Sequence, residues 1–304
     1  MKWNTPPGIY IYAFHMPLFF MISGVCFNYS KHTEFLPFLA SRLKSLILPA
    51  VVFTILDIII SHLVTTSDIQ WNTFLWKGFT RAKWFLGVLF AVEILYYCTL
   101  KFCHEKKITQ LILITLCLLI GICLSKRQII LPYSLSTVFV AIFYYGLGYI
   151  FRDKIIGNNN ISWEKIGWKV FSFSIFLFLV ITSFVGQGLN MSSNTISIID
   201  LFPSLLGIIT IISFSKKITD RKNFSVLLWL GRNTLVIMCV HMTFISISST
   251  IIKPYINSYM AYKIIEQFFV WSLSILSVCL VNKYALFLIG KPLKKVPQNN
   301  CMVE

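Results

Sequence analysis

The sequence predicts an all-α fold: a polytopic helical membrane protein with about nine transmembrane helices. Hydrophobic residues make up 57% of the 304 and charged residues 12%, roughly half the ~25% charged share of soluble chains. Mean hydropathy is +0.76. The apolar residues also come in continuous runs of about 20, the length a bilayer core demands, and these are too long for the ten-residue alternation of a membrane β-barrel. Together these observations exclude a disordered chain, a collagenous fibre and an ordinary cytosolic enzyme.

Nine runs meet the length requirement, at 10–29, 46–64, 84–100, 108–124, 134–151, 168–186, 196–214, 225–249 and 264–282. The first carries FHMPLFFMISG at 14–24, where the small Ser23-Gly24 pair lets a neighbouring helix come close. RLKSLILPA at 42–50 brings Arg42 and Lys44 to the entry of the second. KWFLGVLF at 83–90 opens the third with an interfacial Trp, and Glu93 follows inside it. The fourth and sixth stand on apolar content alone. FYYGLGYIFR at 143–152 ends the fifth, its glycines allowing tight packing and Arg152 marking the membrane face. The seventh holds Asp200, and the ninth closes the series. In the eighth, LWLGRNTLVIMCVH at 228–241 places Arg232 and Asn233 inside the run and His241 two to three turns deeper. No internal repeat and no long polar stretch interrupts the series. Residues 1–285 therefore read as one transmembrane domain and 286–304 as a C-terminal tail.

The net charge of +16 does not signal nucleic acid, because the basic residues sit in short clusters between apolar runs instead of one stripe. Loops on one side of the nine segments carry 18 of the 27 Lys and Arg, those on the other side carry 8, and Arg232 lies within a segment. The positive-inside rule puts the richer set in the cytoplasm together with the C-terminus. The poorer set includes Lys77, Arg81, Lys83, Lys253 and Lys263. Nine spans with a cytoplasmic C-terminus leave Met1 outside, so the charge pattern leads us to expect a further helix upstream. No cleavable signal peptide is expected, since Lys2 is followed by polar residues and two prolines. Most of the eight cysteines lie inside apolar runs without paired spacing and read as small buried hydrophobes, not disulfides or a zinc site.

Ionisable groups within a membrane usually face the bundle interior. His15 and His241 are accordingly candidate catalytic groups. Arg42, Lys44, Arg232 and Asn233 are candidates for holding phosphate, Arg by its planar fork and helix entries by their free N–H groups. Glu93, Asp57 and Asp200 are candidates for lining a polar cavity. Six of these have a plainer reading: an interfacial histidine for His15, topogenic charge for Arg42 and Lys44, a helix-packing hydrogen bond for each acid. A topogenic role for Arg232 requires neither an Asn beside it nor a His as deep as His241. Motifs of soluble catalysis, such as a nucleophile elbow or a P-loop, are missing. The histidines are too scattered to hold a metal.

Taken in order, FHMPLFFMISG, RLKSLILP, WFLGVLF, GLGYIFR and LGRNTLVIMCVH resemble acyltransferase family 3, the integral-membrane O-acyltransferases, and within it the fucose 4-O-acetylase-like branch. The resemblance runs to about residue 285. It implies a ten-helix, multi-pass protein of the bacterial inner membrane, surrounded by lipid. Such a protein takes an acetyl or other acyl group from acyl-CoA, a co-substrate, with no permanently bound cofactor. The acceptor is a sugar hydroxyl of a surface polysaccharide or its lipid-linked precursor. The resemblance also implies that the family's catalytic His sits in a helix preceding residue 10, which MKWNTPPGIYIYA does not supply. Two other readings compete: a polysaccharide or lipid-linked sugar transporter, and a truncated, inactive relative of the acyltransferase.

Overall fold

A segment in hydrocarbon has no water to satisfy its N–H and C=O groups, so each long apolar run closes its hydrogen bonds internally as a helix. The computed structural model describes residues 6–32, 34–65, 79, 83–103, 106–129, 131–156, 163–185, 191, 196–219 and 224–289. Of residues 6, 7, 65, 163–169, 216–219, 288 and 289 only the backbone is described. The helices are α1 (Pro6–Cys26), α2 (Phe35–Arg42), α3 (Leu48–Thr65), α4 (Trp84–Cys103), α5 (Lys107–Lys126), α6 (Leu135–Ile150), α7 (Arg152–Ile156), α8 (Trp163–Val185), α9 (Leu201–Thr219), α10 (Ser225–Arg232), α11 (Thr234–Ile251) and α12 (Tyr259–Tyr284). Among the described residues there is no strand. Seven stretches are helical, long and apolar enough to cross a membrane: 8–26, 35–64, 84–103, 107–126, 132–150, 234–255 and 259–284. The apolar parts of α8 and α9, Val170–Val185 and Leu201–Ser215, are shorter. The protein is an all-α, polytopic membrane protein. Of the expected tail 286–304, all but Leu286–Ile289 lies outside the described residues, as do Lys77, Arg81, Arg221 and Lys222.

The chain divides into two compact units. The first comprises 1–35, 71–79 and 84–229, and so holds α1 and α4 to α9. Its core is the antiparallel contact of α1 with α6, made close by two glycines. A β-carbon at Gly24 would collide with the Tyr145 carbonyl, and one at Gly148 would collide with the Met21 carbonyl. Both FHMPLFFMISG and GLGYIFR thus act through packing, as their small residues predict. Around this seam Tyr96, Tyr97, Tyr144 and Tyr145 are fully buried. Two of their hydroxyls bond across helices, Tyr96 donating to Gln110 Oε1 at 3.0 Å and Tyr144 meeting Ser204 Oγ at 2.5 Å. Arg152 donates to the Phe27 carbonyl at 3.1 Å, tying the end of α6 to the end of α1.

The second unit comprises 36–70, 80–83 and 230–304, and so holds α3, α11, α12 and most of α2. A π-helical turn, Leu43–Ile47, joins α2 to α3, with the Leu48 N–H reaching back to the Leu43 carbonyl. Pro49 supplies the reason. It has no N–H for the Ser45 carbonyl, and its ring needs the room that a wider turn provides.

The eighth expected segment, 225–249, is not one helix. It breaks at Asn233 into α10 and α11, so Arg232 ends a short helix with exposed apolar side chains, Val226, Leu227 and Leu228 among them, instead of lying within a span. The apolar run continues through the break, and hydropathy alone cannot register it.

Candidate functional site

Most of the residues singled out by chemistry belong to the second unit. Asn282, in the last turn of α12, donates its amide to Asn233 Oδ1 at 2.8 Å. The 3₁₀ turn Leu286–Ile289 that follows packs against the start of α3 and the π-helical turn before it. α3 and α11 therefore begin at the same end of the unit, and α12 ends there. Four cations gather at that end: Arg42, Lys44, Arg232 and Lys283. The Arg42 guanidinium lies 5.4 Å from the centroid of the Phe38 ring, a cation–π distance, while Lys44, Arg232 and Lys283 are exposed.

Deeper in the unit the chemistry changes. His241 lies eight residues beyond Asn233, about 12 Å along the axis at 1.5 Å per residue. Its Nδ1 is 3.0 Å from the Ile237 carbonyl. A carbonyl only accepts, so Nδ1 carries the hydrogen, and a neutral ring then presents the lone pair of Nε2 as a base. Asp57, on α3, is 3% exposed. It accepts from Lys83 Nζ at 3.2 Å and from Thr243 Oγ1 at 2.8 Å. One level further on, Glu266 accepts from the Tyr262 hydroxyl at 2.6 Å and pairs with Lys263.

The remaining three candidates lie in the first unit. His15 Nδ1 is 3.0 Å from the Ile11 carbonyl, and its ring stands edge-on to Tyr12 at 5.0 Å. Glu93 is buried on α4, one turn before Tyr96 and Tyr97. Asp200 accepts from the Ser197 N–H at 2.8 Å just before α9 begins, a bond within its own turn. Among the described residues no three of His, Cys, Asp and Glu are grouped to hold a metal.

A family model described as an acyltransferase domain, that of acyltransferase family 3, matches residues 1–283. The chain belongs to this family. No curated protein and no solved structure is significantly similar to it. The protein is a membrane acyltransferase, and the polar contents of the second unit are to be read against that chemistry.

Two groups of the acyltransferase escape sequence reasoning. Lys83 reads as loop charge because it stands one residue outside an apolar run, yet it is 1% exposed and paired with Asp57. Nothing local marks it; an acid in the middle of another helix was the available sign that some cation had to come to it. Glu266 could have been found by the rule that selected Glu93, since it lies within the ninth apolar run.

Proposed function

We propose that this acyltransferase moves an acetyl group, or another small acyl group, from acyl-CoA to a sugar hydroxyl of a cell-surface polysaccharide or its lipid-linked precursor, in the manner of the fucose 4-O-acetylase-like branch it resembles. The observation that carries the reading is the ladder along α11. Arg232 and Asn233 stand at its entry, with Arg42, Lys44 and Lys283 at the same end of the unit, and His241 lies about 12 Å deeper by helical rise. The CoA phosphates need cations, and the thioester, a pantetheine arm away, needs a base. In this scheme His241 Nε2, and not the upstream histidine that the resemblance implies, takes the proton of the sugar hydroxyl as its oxygen attacks the thioester carbonyl. The C–O bond forms, the C–S bond breaks, and the imidazolium returns the proton to the departing CoA sulfur.

The same ladder supports a location in the bacterial cytoplasmic membrane with the C-terminus inside. Gathering the cations at the end of α12 that leads into that terminus agrees with the positive-inside rule. The test of the activity is transfer of radiolabelled acetyl from acetyl-CoA to membrane glycan in cells expressing the chain. Label that accumulates with wild type and not with His241→Gln supports the reading. Glycan unlabelled at full protein level, or labelled without acetyl-CoA, overturns it.

A further inference from the structure

The Lys83–Asp57 pair has no part in the transfer scheme, and stability alone is a weak reason for it. Burying two charges costs about as much as their attraction returns, and well-packed apolar residues usually serve as well or better. The third member of the group points to another role. One carboxylate oxygen of Asp57 takes Lys83, while the other takes Thr243 Oγ1 at 2.8 Å. Thr243 lies two residues beyond His241 and is 5% exposed, on the buried stripe of α11 with Val236, Cys239 and Val240. The His241 ring is bound to a carbonyl of its own helix, so the ring turns with the helix, and whatever fixes the rotation of α11 also fixes the direction of Nε2. A hydrogen bond to an ionised carboxylate is about twice as strong as a neutral one. Lys83 supplies the countercharge that lets the carboxylate stay ionised away from water.

We propose that Asp57 is a positioning residue: held by Lys83, it pins the rotation of α11 through Thr243 and thereby aims His241 at the reacting hydroxyl. This rests on the reading of His241 as the base. Thr243→Val keeps the shape and removes the donor, Thr243→Ser keeps the donor, and Thr243→Ala serves if valine is not accommodated. The experiment measures carbethoxylation of His241 by diethyl pyrocarbonate on the full chain in detergent, read by mass spectrometry with His15 as internal reference, beside kcat and the KM for acetyl-CoA. In Thr243→Val the His241 rate should change about threefold or more while the His15 rate holds, and kcat should fall about tenfold at unchanged KM, as expected for a misaimed group. Thr243→Ser should restore both. An unchanged His241 rate in the valine and alanine variants overturns the tie. Wild-type kcat in His241→Gln overturns the base reading instead, and the labelling result then still decides whether Asp57 positions the ring.

Discussion

Asn282 donates to Asn233 Oδ1 at 2.8 Å, so the end of α12 holds the turn from which α11 starts. Asn233 is 5% exposed and Asn282 half-buried, so removing Asn282 leaves a buried amide short of one partner and removing Asn233 leaves a half-buried one short. Asn233→Ala and Asn282→Ala should each destabilise the protein by about 1–3 kcal/mol. The double variant should cost less than the two single costs added together, because the partners share one bond. Thermal unfolding in detergent measures all three, and strict additivity would refute the coupling.

Arg232 is exposed at the end of α10, so replacing it should leave the melting temperature unchanged. If it holds a CoA phosphate, Arg232→Ala should raise the KM for acetyl-CoA with little effect on kcat, the signature of lost uniform binding. Arg232→Lys should recover only part of the loss, since an ammonium lacks the guanidinium fork. Steady-state kinetics on membranes with equal protein decide this, and an unchanged KM in both variants counts against the site.

His15 and His241 make the same bond to the carbonyl four residues back, so geometry at the ring does not separate them. Their company does, because His241 shares a unit with the cations. His241→Gln should cut kcat by about 10²-fold or more, the usual range for a lost general base, while His15→Gln should change it little. The reverse outcome would move the catalytic assignment to His15.

Lys83→Met alone should destabilise the protein by about 3–5 kcal/mol, since it strands a buried carboxylate, whereas Asp57→Leu with Lys83→Met should recover most of that loss. Unfolding midpoints of the two variants supply the comparison. A single variant as stable as wild type would mean that Asp57 does not depend on Lys83.

At the α1–α6 seam there is no room even for a methyl group. Gly24→Ala should destabilise the protein by about 1–3 kcal/mol through overpacking against backbone, and Gly24→Leu should prevent accumulation of folded protein. Gly231 is the control: a β-carbon there meets nothing within 4 Å, so Gly231→Ala should leave the melting temperature unchanged or raise it.

What could be read from sequence follows the physics of each feature. Helices are legible because a bilayer imposes one length and one composition on every span, and the Gly24 and Gly148 contacts were legible as small residues in apolar context. The order of the blocks exposed His241, Arg232 and Asn233, and the structure sets these with Arg42 and Lys44 in one unit. The break at Asn233 was not legible, because an asparagine on another helix fixes the turn inside an unbroken apolar run. Lys83 was misread for a related reason. Charge near a span looks topogenic until the fold reveals an acid waiting for it.

The glycine seam has a consequence for how the protein is made. Gly24 meets a carbonyl at position 145 and Gly148 one at position 21, so about 120 residues separate the two halves of the contact. At ~5–20 residues per second of synthesis, α1 emerges on the order of ten seconds before α6 exists. Until then its grooved face has only lipid or the insertion machinery to lie against. Substitutions at Gly24 or Gly148 should therefore act at the step where α6 joins α1 as well as on the finished fold.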